Sequence, residues 1–344
     1  MHSEGKRIGV GVDAGKLFFF LASLLVVVAT SSLMLGQLRI PPGQIVRILA
    51  SRFFPIETTW TSTLESVLFD VRLPRLLAGI LVGAGLSVSG AAFQGLFRNP
   101  LVSPHILGVS AGAGLGAALA ILYLGNIVAV QVFSFVFGLI AVMMTYGLSR
   151  VYKTTPVLML VLSGIIVGAL FSAATSLLKY IADPINNMPS IVFWLLGSLN
   201  NASNKDMVIV GPIIIFGVTI LLLIRWRINL LAMGEEDARA LGVDTSRIRT
   251  TIIICATMIS AASVSIGGII GWIGLVIPHI GRILVGPDNK KLLPVATLVG
   301  ASYLVAVDTL ARTAMETEIP IGILTAMVGA PIFAYLLRKN RSGW

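Results

Sequence analysis

The sequence predicts an all-α polytopic membrane protein of about ten transmembrane helices, organised as a single domain over residues 1–344. Three observations carry that prediction. Of the 344 residues, 56% are hydrophobic and 12% are charged, against about 25% charge in an ordinary soluble domain, and the mean hydropathy is +0.94. So many apolar residues cannot be hidden in one water-surrounded core. Apolar runs of roughly 20 residues, enough to cross a bilayer as a helix, recur about ten times along the chain. The stretch GGIIGWIGLVIPHIGRILVGPDNKKLLP, from Gly267 to Pro294, is apolar, glycine-rich and holds a Pro-His pair, which predicts an interrupted membrane segment broken at Pro278. The net charge of +10 excludes no membrane protein and does not point to nucleic acid. The basic residues sit beside apolar runs and not on one polar face, so their excess reports topology. The single cysteine, Cys255, lies inside an apolar run and reads as a small packed hydrophobe.

The first five spans cover about 17–181 and the last five about 207–338. Lys6, Arg7 and Lys16 lead into a first span from Leu17 to about Leu35. It is long for a signal peptide and no clear small-residue cleavage site follows. IPPGQIVRILASRF predicts a short amphipathic helix at the membrane surface, starting after the two prolines. Arg72 and Arg75 open the second span, and RNPLVSP breaks the chain before the third, about His105 to Leu124. The fourth ends at Arg150 and the fifth runs from about Val157 to Ile181. The apolar centre of ADPINNMPSIVFWLLGSLNNASNKD is too short to span and suits a re-entrant or surface helix. The sixth span is about Met207–Ile224, followed by a long polar insert. The seventh runs to about Ile270, the short eighth to near Val285, the ninth from Leu292 to about Leu310, and the tenth ends at RKNRSGW.

With this layout and the N-terminus inside, 17 of the 25 Lys and Arg fall on the inner side, which predicts both termini in the cytoplasm. LVIPHI at Leu275 echoes LVSPHI at Leu101, about half a chain earlier. An offset of five spans is odd, so the two five-helix halves would have opposite orientation, an inverted repeat of the kind transporters use.

Polar residues inside the spans are few. No acid lies near the middle of a span, and Asp308 sits near an outer end. Ion-coupled carriers generally bury ionisable groups, so the driving energy is expected from elsewhere. No metal-binding cluster and no nucleophile with an adjacent base is apparent, so an enzyme is not expected. Gly234–Gly242, GEEDARALG, predicts a short helix. Glu235, Glu236 and Asp237 suit the positive end of its dipole, Ala238, Ala240 and Leu241 give it a compact apolar edge, Arg239 lies within it, and Gly242 ends it. Such an edge either docks into a partner's groove or belongs to a solvated loop. Arg72, Arg75 and Arg312 stand at the outer side against the topological bias. They are either headgroup anchors or a docking site for an acidic partner, since guanidinium pairs carboxylate in two-point contacts. GAGLGA at Gly112 and GVDAGKL near Gly11 lack the context and spacing of nucleotide-binding loops, so the chain is not expected to bind ATP. His105 and His279 each follow a proline and are expected to cap loose backbone groups at helix breaks. Thr154 and Thr155, at a turn before the fifth span, are a gate or a plain turn.

RLPRLLAGILVGAGLSVSGAAFQGLFRNPLVSPHILGVSAGAG, GEEDARALGV and GWIGLVIPHIGRILVGPDNKKLLP together resemble the FecCD-type permeases, the membrane subunits of ABC importers for ferric siderophores, haem and vitamin B12. The resemblance covers about Leu17 to Leu337. It implies a type II importer permease that acts as a homodimer, two cytoplasmic ATPase subunits that bind the ATP, an extracytoplasmic binding protein, the inner membrane of a prokaryote, and no cofactor on this chain. It implies a coupling helix at Glu235–Leu241, binding-protein contacts at Arg72, Arg75 and Arg312, and a cytoplasmic gate near Thr154 and Thr155. MPSIVFWLLGSL and VDTLARTAMETEIPIGILTA resemble a branch that includes molybdate importers, so an oxyanion is the alternative to a metal chelate.

Overall fold

The computed structural model describes residues 14–36, 38–150 and 157–339; all regular structure among them is helical. The elements are α1 (Ala14–Met34), α2 (Pro42–Ala50), α3 (Ser62–Ser66), a π-helical turn (Val67–Arg72) running into α4 (Leu73–Phe97), a 3-10 turn (Pro104–Leu107), α5 (Val109–Tyr123), α6 (Ile127–Ser149) and α7 (Val157–Ile181). They continue with α8 (Asn187–Leu196), α9 (Asn204–Leu223), α10 (Arg225–Met233), α11 (Glu235–Ala240), α12 (Thr245–Gly267), α13 (Ile273–Val285), α14 (Asn289–Ala311) and α15 (Ile321–Lys339). Seven segments are long and apolar enough to cross a membrane, and α5, α13 and α15 are shorter apolar helices that complete ten. The ten-residue α8 is the short helix expected between the halves.

Side-chain caps set several boundaries. Ser203 and Asp206 form a capping box at the start of α9, the Asp244 carboxylate accepts the Arg247 N–H at the start of α12, and Asp288 accepts the Lys290 N–H at the start of α14. Each satisfies a donor that a helix start leaves open. α2 begins right after Pro41 and buries Ile45 and Ile48, while Val46 on its other side is exposed.

The middle of the domain is made of small residues. In their apolar windows 83% of the α4 segment and 78% of α12 are buried, against 17% of α1, so α4 and α12 form the centre and α1 the rim. Helices in lipid associate by close packing, which favours small residues. A Cβ on Gly83 would overlap the Gly300 carbonyl, and a Cβ on Gly90 would overlap the Gly274 carbonyl. α4 therefore touches α14 and α13 backbone to backbone.

The contacts repeat on exchange of the halves. α4 packs against α12, α13 and α14, and α12 against α4, α5 and α6. α5 packs on α6 and α7, as α13 packs on α14 and α15. This is the inverted repeat, with α4 to α7 corresponding to α12 to α15. The two echoing runs differ locally: LVSPHI straddles a loop and the 3-10 turn, whereas LVIPHI lies wholly within α13.

The break expected at Pro278 is not there. α13 runs unbroken through Pro278, and the chain is interrupted earlier, over residues 268–272, where Gly268 and Trp272 both have positive φ. A proline inside a helix frees the carbonyl four residues back, here Gly274. Gln94 of α4 supplies a donor: its Nε2 lies 3.4 Å from the Gly274 oxygen and 3.3 Å from the Leu275 oxygen. The amide satisfies the freed carbonyls, and the helix continues.

Candidate coupling surface and charge cluster

At one end of the domain α10 and α11 fold back on the helices. Ile228 of α10 is fully buried against Gly95 of α4. Asn229 donates from Nδ2 to Asp288 Oδ1 at 2.6 Å, and its Oδ1 accepts the Asn289 N–H at 2.8 Å. One amide thus pins α10 to the start of α14. Burial works against the charge on Asp288, but the Lys290 N–H, the Asn229 amide and the Lys290 and Lys291 charges outweigh it and hold the carboxyl below its usual range.

α11 follows at Gly234, whose φ of 139° suits glycine alone. Ala238 is completely buried, in a helix that packs on α10 and α12 of the same chain. The apolar edge expected to face outward is therefore divided: Ala238 secures the helix, while Ala240 and Leu241 are exposed beside Glu236. Leu241 is 61% exposed. Arg239 Nε donates to Thr245 Oγ1 at 3.2 Å, tying α11 to α12. Gly242 has a φ of 78° and ends the helix as its composition implies. Thr154 and Thr155 lie outside the described residues.

At the opposite end, Arg72, Arg75 and Arg312 come together, but inside the protein; the first two are 5% and 4% exposed. Arg75 Nε donates to both oxygens of Asp308 at 2.9 and 3.1 Å, and its Nη1 to Glu318 Oε1 at 2.8 Å. Arg312 Nη2 donates to the carbonyl and hydroxyl of Ser32, at 2.5 and 2.8 Å, and its Nε lies 3.5 Å from Asp308. Arg72 donates to the carbonyls of Leu33 and Leu38. The three guanidiniums join the end of α1, the start of α4, the end of α14 and the turn before α15. Each guanidinium bonds within the chain, although the Arg312 Nε donor has no hydrogen-bond partner among the described residues. Sequence alone does not mark Asp308 and Glu318 as the partners, although Asp308 stands four residues before Arg312, one turn apart on a helix.

Midway between the ends, the two interruptions meet. Gly274 lies against Pro104, and His105 Nε2 is 3.3 Å from the Ile270 carbonyl, with Ser110 Oγ on its Nδ1. His105 therefore caps a loose carbonyl at the break of the other half, as expected. His279 instead sits within α13, buried, edge-on to Phe333 at 5.8 Å.

An all-helical, multi-pass domain of two inverted halves, with interrupted helices and a short exposed helix at one end, is the fold of a type II ABC importer permease. The chain belongs to the FecCD transport family, whose family profile matches residues 24–339. It is 41% identical over 328 residues to the molybdate import system permease protein MolB of Haemophilus influenzae, covering 95% of this chain and 97% of that one. It is 41% identical over 287 residues to the cobalamin import system permease protein BtuC of Halobacterium salinarum, covering 83% and 77%. A solved structure described as an inward-facing metal-chelate type ABC transporter superposes with a TM-score of 0.84 at 40% identity, covering 94% of this chain and 99% of that chain.

Proposed function

We propose that this chain is the permease subunit of a binding-protein-dependent importer that moves a metal chelate (ferric siderophore, haem or cobalamin) into the cytoplasm by alternating access. It works as a homodimer in the inner membrane of a prokaryote, with both termini and α11 on the cytoplasmic side. ATP is bound and hydrolysed by two partner ATPase subunits, and this chain carries no cofactor. A second reading, import of a molybdate-type oxyanion, is supported by the similarity to MolB over 95% of the chain.

The observation that carries the proposal is α11. Leu241 and Glu236 are exposed on a helix whose other side is fixed by Ala238 and, through α10, by Asn229. A push on that edge reaches α12 directly and α14 through α10. Thr154 and Thr155 are assigned to a cytoplasmic gate by family resemblance. At the other end we assign binding-protein docking to the surface over Arg72, Arg75 and Arg312. Their side chains are occupied internally, so the attraction is the net charge of three guanidiniums against Asp308 and Glu318, felt over the roughly 8–10 Å that physiological salt allows. Changing Leu241 to Asp in the purified complex tests the assignment of α11. The expected result is loss of the ATPase subunits or of transport-coupled hydrolysis; an assembled, fully coupled complex would remove α11 from the mechanism.

A further inference from the structure

A narrow groove of about 180 Å³ runs between α9 and α12, in the halves of both helices nearer α11. Gly217 brings the two helices together, since a Cβ there would lie 2.7 Å from Ile259 Cγ1. Phe216 and Ile220 of α9 and Ile254 and Cys255 of α12 line the groove. Phe216 and Ile254 are 65% and 52% exposed, so it opens outward. Its one hydroxyl, Thr251 Oγ1, already donates to the Arg247 carbonyl at 2.9 Å, and a buried thiol behaves as a small hydrophobe. The groove therefore offers hydrocarbon contact. It is too small for a helix, about 10–12 Å across with its side chains, and it suits a flexible acyl chain.

Charge lies where the groove ends. Backbone bonds from Ile224 N–H to the Ile220 carbonyl at 3.0 Å and from Ile228 N–H to the Ile224 carbonyl at 3.3 Å carry the helical ladder from α9 into α10. Arg227 therefore stands two turns beyond Ile220 on the same face. Its guanidinium lies 5.2 Å from the centroid of the Trp226 ring, and an indole beside a cation is typical of a membrane–water interface. Arg247 stands one turn before Thr251 on α12, and α10 packs on α12. Arg227 has no carboxylate partner among the described residues. Arg247 holds Asp244 through Nε at 2.9 Å, in a pair whose side chains are 88% and 52% exposed. Exposed pairs are worth little, and the guanidinium keeps its Nη donors for a second anion. One carboxylate against two arginines leaves the mouth of the groove positive.

We propose that this groove, with Arg227 and Arg247, is a binding site for one anionic phospholipid, its acyl chain between α9 and α12 and its phosphate between the two arginines. The headgroup ties α10 to α12, the two helices that carry α11 between them. A zwitterionic lipid brings its own cation and gains less from the arginines. The site rests on the membrane assignment and not on the importer reading.

The test is native mass spectrometry of the purified full chain released from detergent micelles, titrated with phosphatidylglycerol or with phosphatidylcholine of the same acyl chains. One phosphatidylglycerol should bind about thirtyfold more tightly than phosphatidylcholine, at about fivefold per arginine. That preference should fall about fivefold in Arg227→Gln and in Arg247→Gln, and vanish in the double variant. Arg225→Gln removes the same charge two residues from Arg227, on another face of the helix, and should leave the preference intact. Thr251→Trp, which fills the groove, should weaken binding of both lipids at this site; if it fails to fold, Ile254→Trp on the exposed rim takes its place. Equal binding of the two lipids, a preference that the double variant keeps, an equal loss in Arg225→Gln, or binding indifferent to the filled groove would each overturn the site. Loss of the ATPase subunits from the assembled complex in the Arg227 and Arg247 variants, with lipid preference unchanged, would give these arginines to a protein partner and overturn it too. Uptake by this chain alone, driven by an ion gradient, removes the importer reading and leaves the lipid site standing.

Discussion

Replacing Arg75 by leucine separates two roles for the charge cluster: a clamp that holds the fold, and a free contact for a partner. Arg75 and Asp308 are 4% and 2% exposed, and Arg75 makes three charged hydrogen bonds, two to Asp308 and one to Glu318. Removing one partner of a buried ion pair costs about 3–5 kcal/mol, because the other charge is left in a poor environment. Asp308 would keep Arg312, at a longer 3.5 Å. We therefore expect a loss of about 3 kcal/mol, at the lower end of that range. The assay is reversible unfolding of the purified protein in mixed micelles by titration with sodium dodecyl sulfate, for Arg75→Leu, Asp308→Leu and the double variant. The double variant should be more stable than the sum of the singles by at least about 1.5 kcal/mol, since the two residues form one bonded unit. A single-variant loss below about 1 kcal/mol, a value typical of exposed pairs, or strictly additive effects would refute the clamp. Loss of binding-protein affinity without loss of stability would then return Arg75 to direct docking.

Other expectations follow from the same geometry. Asn229→Ala removes both bonds that pin α10 to α14; it should cost about 1–3 kcal/mol in the same unfolding assay and lower ATP-coupled transport more than substrate-independent hydrolysis. Gly90→Ala puts a methyl group into the Gly274 backbone carbonyl, which no side-chain rotation relieves; the loss should be at least about 1–3 kcal/mol, the usual range for overpacking. The Asp288 carboxyl is held below its usual range, so its contribution is full above the unfolded value of about 3.9 and is lost as pH falls through the lower folded value. Melting temperature should therefore fall more steeply with acid for wild type than for Asp288→Asn; equal slopes would remove the linkage.

Much of the fold was legible because span ends are marked chemically. Val157–Ile181 was read to the residue because a proline precedes it and a polar Ala-Asp-Pro turn follows. α2 was read from its two prolines and its amphipathic spacing. The sequence also marked α11 through its acidic first turn and closing glycine, although not which of its alanines faces inward. Two features escaped for physical reasons. From sequence alone Pro278 predicts a break, yet the consequence of a proline depends on whether a donor reaches the freed carbonyl, and that donor, Gln94, lies 180 residues from Gly274 in sequence. The arginines were read as exposed because a lone charge at a span end normally snorkels. Their burial depends on Asp308, Glu318 and the carbonyls ending α1, partners that only the folded chain brings within reach.

The most direct test of the central claim is uptake into sealed vesicles that contain this chain, with its ATPase partner and binding protein added or withheld. The account predicts accumulation of a ferric chelate only when ATP, the ATPase and the binding protein are all present, and none under an ion gradient alone. Accumulation by this chain alone, driven by such a gradient and indifferent to ATP, would contradict it.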